Sequence, residues 1–341
     1  MTIRQIDIAR KVGISRIAVS KALRDHPDIS TQMKAKVRKV ADELGYIPNL
    51  TARNLQAQKT FTIGVVVPDI SNSFFSFAIH GIMDAAAKHD YQIILSASRE
   101  NAAVEKKNIM TFLAMRVDGL LVAVSKDTSN MDIFEKVKKT GTPLVFFDRS
   151  MPDAGFSSVG IDDYESARTL INYLIQNGHS KIAHLAGNYT TDIGRARFQG
   201  FQDAMHSAGI GIENEWIVEC GFSRSGGYDG AKKILAASKL PEVIFAVNDR
   251  TAQGAYKAIR EAGLSIPKDI GIVAFGHSEF ADLLYPPLTI IDSPPNLLGQ
   301  QALQLLLTEI DDLQQSKQKI VLDTKLTINE SVKQGKKVQT L

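Results

Sequence analysis

The chain has 341 residues, of which 44% are hydrophobic and 23% charged, a length that allows a small module beside a large α/β body. Its single cysteine, Cys220, excludes an internal disulfide framework and a cysteine-based metal site, and we interpret it as a small residue near a strand end. The first residues lack the apolar run of a secretory signal, and no later stretch approaches the roughly 20 apolar residues of a membrane span. These features predict a cytoplasmic protein that binds no membrane.

Charge is distributed unevenly along the chain. Residues 1–60 contain 12 lysines and arginines against 5 aspartates and glutamates, whereas the formal net charge of the whole chain is only +3. Clustered cations gain affinity for nucleic acid by releasing the counterions of its phosphates, so this asymmetry favours DNA binding by the N-terminal segment. Many solvated helices also carry basic faces, and charge alone does not separate the two interpretations.

The first 45 residues have the pattern of three short helices. Thr2 is a candidate cap for the first helix, with Gln5 completing a capping box, and Gly13 ends it. A third helix begins after the cap Ser30 and stops at Gly45. Between them lies a second helix that opens after a serine.

This second helix has the features of a recognition helix. It begins after the cap Ser15, and its apolar residues lie at i, i+1, i+4 and i+5, which buries one face. The residues left facing outward are Arg16, Ile17, Ser20 and Lys21. Two short helices about a glycine turn, the second with polar and cationic residues at its start, form the helix-turn-helix pattern, whose second helix enters the major groove of DNA.

These motifs resemble the headpiece of the LacI/GalR family of bacterial transcriptional regulators. The matching segments are residues 8–15, 18–23, 45–49 and 52–55. For Arg16, Ile17 and Lys21 we expect contact with base edges of double-stranded DNA, with phosphate contact or solvation as the alternative, and the resemblance favours base contact for Arg16 and Ile17. The rest of the predicted DNA-binding set in this segment is Thr2, Ser15 and Ser20. A generic three-helix module is the alternative for the first 45 residues considered alone.

Residues 48–60 resemble the hinge helix and linker of that family, after a headpiece of residues 1–47. Asn49 is a candidate cap, Ala52 and Leu55 are apolar positions, and Arg53 serves phosphates unless it is a solvated linker charge. A helix this short is not stable in water by itself. By resemblance, two hinge helices of a homodimer lodge in the minor groove of a near-palindromic operator, where Leu55 wedges between base pairs; an ordinary linker residue is the alternative.

From residue 61 onward, apolar strand patterns alternate with helical ones. The strand patterns include residues 62–67, 91–95, 118–122, 143–147, 181–186, 243–247 and 271–275. This spacing implies an α/β fold with parallel sheets covered by helices on both faces. The all-α headpiece and this body together set the predicted fold class.

The family resemblance extends through the body, as a two-lobed periplasmic-binding-protein-like core over residues 61–331. It implies one lobe from residues 61–160 and 292–320 and a second from residues 161–291 and 321–331. The polar tail, residues 332–341, has no leucine heptads that would form a tetramerising coil, so we expect a dimer.

Ligands of such a core lie beyond the carboxyl ends of the strands, in the crevice between the lobes. The residues placed there are Ser71, Asn72, Phe74, Asp148, Arg197, Phe222, Asn248, Asp249 and His277. Carboxylate, amide and guanidinium groups beside aromatic faces suit a polyhydroxylated ligand, so a sugar or sugar derivative is the expected effector. Two alternatives remain open: Asp249 could cap the following helix, and Arg197 could pair with Asp148 instead of a ligand.

One departure from the family pattern bears on the ligand. Phe275 is followed by Gly276, where the family usually has an aspartate. A main acceptor for sugar hydroxyls is therefore missing, unless His277 or a neighbour replaces it.

Three classes of protein compete for this sequence. An extracytoplasmic solute-binding protein shares the body but needs a signal peptide and has no use for a basic headpiece. A nucleotide-binding enzyme needs a glycine-rich phosphate turn, but residues 62–68 contain no Gly-x-Gly-x-x-Gly, and no P-loop, metal cluster or nucleophile elbow appears elsewhere. The sequence therefore predicts an effector-controlled, DNA-binding transcriptional regulator of the repressor type, without cofactor or catalytic residues; the solute-binding protein is the alternative.

Overall fold

The computed structural model of the protein describes residues 3–47, 59–128 and 131–334. The predicted DNA contacts at Thr2, Asn49, Ala52, Arg53 and Leu55 lie outside these residues. The chain forms two compact units, Met1–Thr60 and Phe61–Leu341. No helix in the described ranges is both long and apolar enough to cross a membrane.

The first unit contains the three predicted helices. They are α1 (Gln5–Val12), α2 (Arg16–Leu23) and α3 (Thr31–Leu44). Apolar side chains from all three meet in one small core, in which Ile8, Val19 and Val37 are fully buried. Gly13 and Gly45 end α1 and α3 with φ angles of +83° and +66°, a conformation that a side chain would strain.

The helix caps are partly as predicted. The Ser30 hydroxyl accepts a hydrogen bond from the backbone N–H of Met33 at 3.3 Å, which confirms its predicted capping role. The predicted capping box at Thr2 and Gln5 is wrong, because α1 begins at Gln5 and its cap position is Arg4. There the Asp7 carboxylate accepts the backbone N–H of Arg4 at 2.9 Å, so an acidic side chain in the first turn replaces the expected threonine.

The second unit alternates strands with helices, as the sequence predicts. Its strands are β1 (Thr62–Val67), β2 (Gln92–Ala97), β3 (Gly119–Val122), β4 (Leu144–Phe147), β5 (Ser157–Ile161), β6 (Ile182–Ala186), β7 (Ile217–Glu219), β8 (Val243–Ala246), β9 (Gly271–Gly276), β10 (Thr289–Asp292), β11 (Lys319–Leu322) and β12 (Lys325–Thr327). Its helices are α4 (Ser73–Ala87), α5 (Ala102–Met115), α6 (Asp132–Thr140), α7 (Asp163–Gln176), α8 (Asp192–Ser207), α9 (Arg224–Leu235), α10 (Asp249–Glu261), α11 (Ser278–Ala281) and α12 (Pro295–Asp311).

The strands form two six-stranded sheets, one in each lobe. Lobe 1 has the strand order β11-β5-β4-β3-β1-β2, and lobe 2 has the order β12-β10-β9-β8-β6-β7. All pairs are parallel except β10 with β12, so the predicted α/β class with parallel sheets is confirmed. The chain passes between the lobes three times, after β5, β10 and β11. The last crossing follows Leu322, which pairs with Ile161, two residues later than the sequence predicted.

Glycines set the spacing of the helix pairs that flank each sheet. In lobe 1, a Cβ atom on Gly81 of α4 would lie 2.0 Å from the carbonyl oxygen of Asn296 in α12. In lobe 2, a Cβ on Gly254 of α10 would lie 2.1 Å from the carbonyl oxygen of Arg224 in α9. Backbones this close hold the helices firmly on their sheets. They thereby fix the starts of α4 and α10, which directly follow β1 and β8.

Candidate functional site

Helix α2 presents an exposed face of mixed character. Val19 and Ala22 are fully buried on one side of it, whereas Arg16 and Ile17 are exposed on the other. Ile17 leaves 69% of its surface in contact with solvent, although a folded domain gains by burying an isoleucine. An arginine in such a position can donate hydrogen bonds to guanine, and the exposed apolar side chain beside it can contact a thymine methyl group.

Two other polar side chains of this face are engaged within the unit. The Ser15 hydroxyl accepts the backbone N–H of Ala18 at 3.1 Å and so caps α2 as predicted. Lys21 donates to the Asp28 carboxylate at 2.6 Å, and this hydrogen bond lowers the pKa of Asp28. Ser20 is half-buried. Exposed ion pairs are weak, so Lys21 remains able to exchange its carboxylate for a DNA phosphate.

The second candidate site is a cavity between the two lobes, at the carboxyl ends of the parallel strands. Eight of the nine predicted effector residues line it: Asn72, Phe74, Asp148, Arg197, Phe222, Asn248, Asp249 and His277. Six further residues that the prediction omitted complete the lining: Phe75, Arg149, Ile193, Phe275, Gly276 and Ser293. Ser71 is not brought in, because its backbone N–H and hydroxyl both donate to Asp69 in an exposed turn, at 2.8 and 2.7 Å.

Arg197 of α8 is buried and has three partners. Its Nε donates to Asp163 at 2.7 Å, and its Nη1 donates to the carbonyl oxygen of Val247 at 2.6 Å. Its guanidinium carbon lies 3.8 Å from the ring centroid of Phe275. The alternative pairing with Asp148 is therefore wrong. Arg197 pairs instead with Asp163, which begins the helix α7 that packs against α8. One edge of this guanidinium is fixed by the protein while the residue lines the cavity.

Asp148 follows β4 and adopts a left-handed backbone conformation, with φ of +62°, which is uncommon outside glycine, asparagine and aspartate. Burial raises the pKa of its carboxyl to about 7, against the opposing effects of Arg149 and Arg197. The nearest guanidinium nitrogen, Nε of Arg149, lies 4.0 Å from its Oδ2. A carboxyl with this pKa can either accept or donate a hydrogen bond near neutral pH.

Arg149 connects the two lobes. Its Nη1 lies 2.9 Å from both carboxylate oxygens of Glu100 in lobe 1. Its guanidinium carbon lies 4.5 Å from the ring centroid of Phe222 in lobe 2, within the range of a cation–π contact. The residue was not predicted, although its position directly after Asp148 at the end of a strand was a usable signal.

Two asparagines of the cavity hold the loops in place. The Asn248 Oδ1 accepts the backbone N–H of Thr251 at 2.9 Å, and its Nδ2 donates to the carbonyl oxygen of Phe222 at 3.2 Å. The cap of α10 is therefore Asn248, and the alternative that gave this role to Asp249 is wrong. Asn72 caps α4 in the same way, accepting the N–H of Phe74 at 3.1 Å. These caps free Asp249 to face the cavity.

Asp249 lies beside the position where the family pattern has its aspartate. It is 7% exposed, and burial raises the pKa of its carboxyl. A Cβ atom on Gly276 would lie 3.2 Å from the Cβ of Asp249. His277, next in the chain, has its Nδ1 3.3 Å from Oδ1 of Asp292, and its ring meets the edge of Phe77 at 4.9 Å between centroids.

The cavity therefore combines buried carboxyl groups, oriented guanidinium groups and aromatic rings. Within the described ranges, no cluster of histidine, cysteine, aspartate and glutamate has the arrangement of a metal site. Hydrogen-bonding groups at fixed positions around aromatic faces are suited to holding a small polar ligand.

Two protein families match this chain. "Periplasmic binding proteins and sugar binding domain of LacI family" matches residues 60–330. "Bacterial regulatory proteins, lacI family" matches residues 5–49. The second match begins at residue 60, one residue before the second compact unit.

Similar proteins cover nearly the whole chain. The HTH-type transcriptional repressor PurR of Vibrio vulnificus is 32% identical over 328 residues, 96% of this chain and 98% of the relative. The ribose operon repressor of Haemophilus influenzae is 31% identical over 326 residues, 96% of this chain and 97% of the relative. The crystal structure of a LacI family transcriptional regulator from Enterococcus faecium with bound ribose is 30% identical, with a TM-score of 0.71, and covers 81% of this chain and 100% of that one. The chain belongs to the LacI family of bacterial regulatory proteins and is a DNA-binding transcriptional regulator with an effector-binding core.

Proposed function

We propose that this protein is a repressor that acts in the cytoplasm, and that a sugar or sugar derivative in the cavity between the lobes controls its affinity for an operator. The observation that carries the proposal is the convergence of Asp148, Arg197, Asp249 and His277 on one cavity beside the ring of Phe222. Hydroxyl groups bond to carboxylates and guanidiniums, and a sugar's apolar face packs on an aromatic ring. The ribose bound to the Enterococcus faecium regulator supports the same ligand class.

In the DNA-binding unit, Arg16 and Ile17 contact base edges, and their exposure on α2 supports this role. Ser15, Ser20, Lys21 and Thr2 contact the phosphate backbone. By family resemblance, Asn49, Ala52, Arg53 and Leu55 form the hinge helix, with Leu55 inserted into the minor groove of the operator. These contacts together bind one half-site of a near-palindromic operator.

A homodimer brings two such units to the two half-sites. An exposed apolar edge of lobe 1 supports a second copy of the chain as the partner: Met83 of α4, Leu95 of β2 and Met110 of α5 are all exposed. The strand β2 lies at the edge of its sheet, and α4 and α5 both pack beside it. Covering apolar side chains on three neighbouring elements stabilises a dimer.

Ligand in the cavity controls DNA binding through the angle between the lobes. Side chains already bridge the lobes, since Arg250 donates to Asp69 at 2.8 Å and the Ser150 hydroxyl donates to Asp192 at 2.7 Å. A ligand that binds one lobe angle more tightly than another shifts the population towards that angle. The change is passed to the hinge segments and alters operator affinity.

The experiment uses the full-length protein and two measurements. Operator sites are selected from a random double-stranded DNA library, and affinities are then measured by fluorescence anisotropy with and without ligands from a thermal-shift screen of sugars and nucleobases. We expect a sugar to raise the midpoint of unfolding and to change operator affinity at least tenfold. Nucleobases alone stabilising the protein, or a stabilising sugar with no effect on DNA binding, would contradict the proposal.

Substitutions separate base contacts from general electrostatics. Arg16→Ala and Ile17→Ala should each weaken the selected operator by about 1–3 kcal/mol and relax base preference at one position. Lys36→Ala, which removes an exposed charge from α3, is the matched control and should leave base preference unchanged. Leu55→Ala should remove most operator affinity while ligand binding survives. Equal effects of Arg16→Ala and Lys36→Ala on all sequences would refute the base-contact assignment.

A further inference from the structure

The guanidinium groups of the cavity are already neutralised by the protein. Both oxygens of Glu100 lie 2.9 Å from Nη1 of Arg149. Asp163 lies 2.7 Å from both Nε and Nη2 of Arg197. The side chains of Arg149 and Arg197 are both buried. An incoming anion would have to compete with a carboxylate that is already in place and fixed by the fold.

The carboxylate of Asp249 has no such close ion pair in the described part of the chain. Among the described residues, the hydrogen bonds to the side chain of Asp249 come from backbone groups, such as the N–H of Arg250 at 2.7 Å. The guanidinium of Arg250 points elsewhere and donates to Asp69 at 2.8 Å. The other basic side chain near Asp249 is His277, whose Nδ1 lies 3.3 Å from Oδ1 of Asp292. Burial raises the pKa of the Asp249 carboxyl, against the opposing effects of Arg250 and His277, neither of which donates a side-chain hydrogen bond to it among the described contacts.

Carboxyl groups outnumber basic groups around the cavity. In the described part of the chain, the charged groups that line the cavity or pair with its lining comprise five carboxyls, two guanidiniums and one imidazole. They are Asp148, Asp249, Glu100, Asp163, Asp292, Arg149, Arg197 and His277. Because the site is largely buried, water screens these charges poorly, and they act strongly on any ligand charge.

We propose that the cavity takes an uncharged or cationic polyhydroxylated ligand, with Asp249 as its principal hydrogen-bond acceptor, and discriminates against phosphorylated or carboxylated forms of the same ligand. This inference rests on the proposed function, because it specifies the ligand class of that cavity. Asp249 stands where it can replace the acceptor that Gly276 lacks, since the two Cβ positions are only 3.2 Å apart. An aspartate at 276 would place a second carboxylate against the first.

The experiment compares matched ligands on the full-length protein by thermal shift and isothermal titration calorimetry. The probes are ribose with ribose 5-phosphate, glucose with glucosamine and glucose 6-phosphate, and inorganic phosphate alone. We expect each phosphorylated sugar to bind at least tenfold more weakly than its parent, glucosamine to bind at least as tightly as glucose, and inorganic phosphate to give no shift. A phosphorylated sugar that binds more tightly than its parent overturns the inference and leaves the sugar-controlled regulator standing.

A variant supplies a measurement that needs no ligand. Asp249→Asn removes a buried charge without a side-chain partner, so it should raise the midpoint of unfolding at pH 7 by about 2–4 °C for each kcal/mol gained, while lowering affinity for a bound neutral sugar at least tenfold. Asp163→Asn is the matched control and should lower the midpoint, because it leaves Arg197 buried without its carboxylate. If no sugar of either form binds, the proposed sugar effector is wrong, and the sign of the Asp249→Asn shift then decides the charge argument. A lowered midpoint overturns it.

Discussion

Replacing Arg197 with methionine should destabilise lobe 2 severely. Methionine keeps a long flexible stem in contact with the ring of Phe275 but removes the guanidinium. The substitution removes the hydrogen bonds to Asp163 and Val247, at 2.7 and 2.6 Å, and the cation–π contact at 3.8 Å from the ring centroid. It also leaves Asp163 buried as a carboxylate without a counterion.

The magnitude follows from that uncompensated charge. Removing one member of a buried ion pair typically costs about 3–5 kcal/mol of folding free energy, more than the net value of the pair itself. Asp163 belongs to α7 and Arg197 to α8, helices that pack on each other, so the loss should also loosen the wall of the ligand cavity. Arg195→Ala is the matched control: Arg195 is an exposed residue of α8 whose described hydrogen bonds go to carbonyl oxygens of the loop before that helix, at 3.0 Å, so its loss should change stability little.

The assay is urea unfolding followed by fluorescence of Trp216. It is the only tryptophan of the chain, is buried in the core of lobe 2, and therefore reports the lobe that contains the substitution. The double variant Arg197→Met with Asp163→Asn should recover part of the loss, because it removes the orphaned charge. A loss below about 1 kcal/mol for Arg197→Met, or a double variant no more stable than the single one, would refute the argument.

Two further substitutions test the packing of lobe 2 and the titration of the cavity. Gly254→Ala should destabilise lobe 2 by about 1–3 kcal/mol in the same urea assay, because the new Cβ would lie 2.1 Å from a carbonyl oxygen of α9. The control is Gly211→Ala, whose new Cβ would have no atom within 4 Å. Equal losses of stability in the two variants would contradict the close approach of the helices. Burial raises the pKa of Asp148 to about 7 in the folded protein. The contribution of this carboxyl to the free energy of unfolding is therefore fully present below the unfolded pKa of about 4 and is lost as pH rises through 7. Asp148→Asn, which tolerates the left-handed backbone, should therefore be more stable than the wild type at pH 7 and equally stable near pH 4 in thermal unfolding; a constant difference across this range would exclude Asp148 as the titrating group.

Much of the fold could be predicted because its signals are local. Ser15 and Ser30 cap their helices through backbone groups three residues away, and Gly13 and Gly45 end theirs by a backbone angle. The apolar strands alternate with amphipathic helices at the spacing of parallel α/β units. Each of these features is determined within a few residues, so the sequence displays it directly. The error at α1 was also local, since an aspartate in the first turn competed with the expected threonine.

The candidate cavity was predicted as a set of residues but not as a set of contacts. Eight of the nine residues chosen by the rule that ligands lie beyond the carboxyl ends of strands line one cavity. It did not show that Arg149 lies over Phe222, a residue of the other lobe. It also wrongly included Ser71, which an Asp69 carboxylate two residues away holds in an exposed turn.

The sequence by itself determined the family motifs, the alternation of strands with helices, and the ends of α1 and α3 at glycines, because these depend on neighbours along the chain. Only the tertiary structure decided that Arg197 pairs with Asp163 and that Asp249 fills the space beside Gly276. These contacts join residues 34 and 27 positions apart, and each is selected by burial. A charge removed from water takes the partner that the packing of helices brings within reach, and no spacing along the chain records which partner that is.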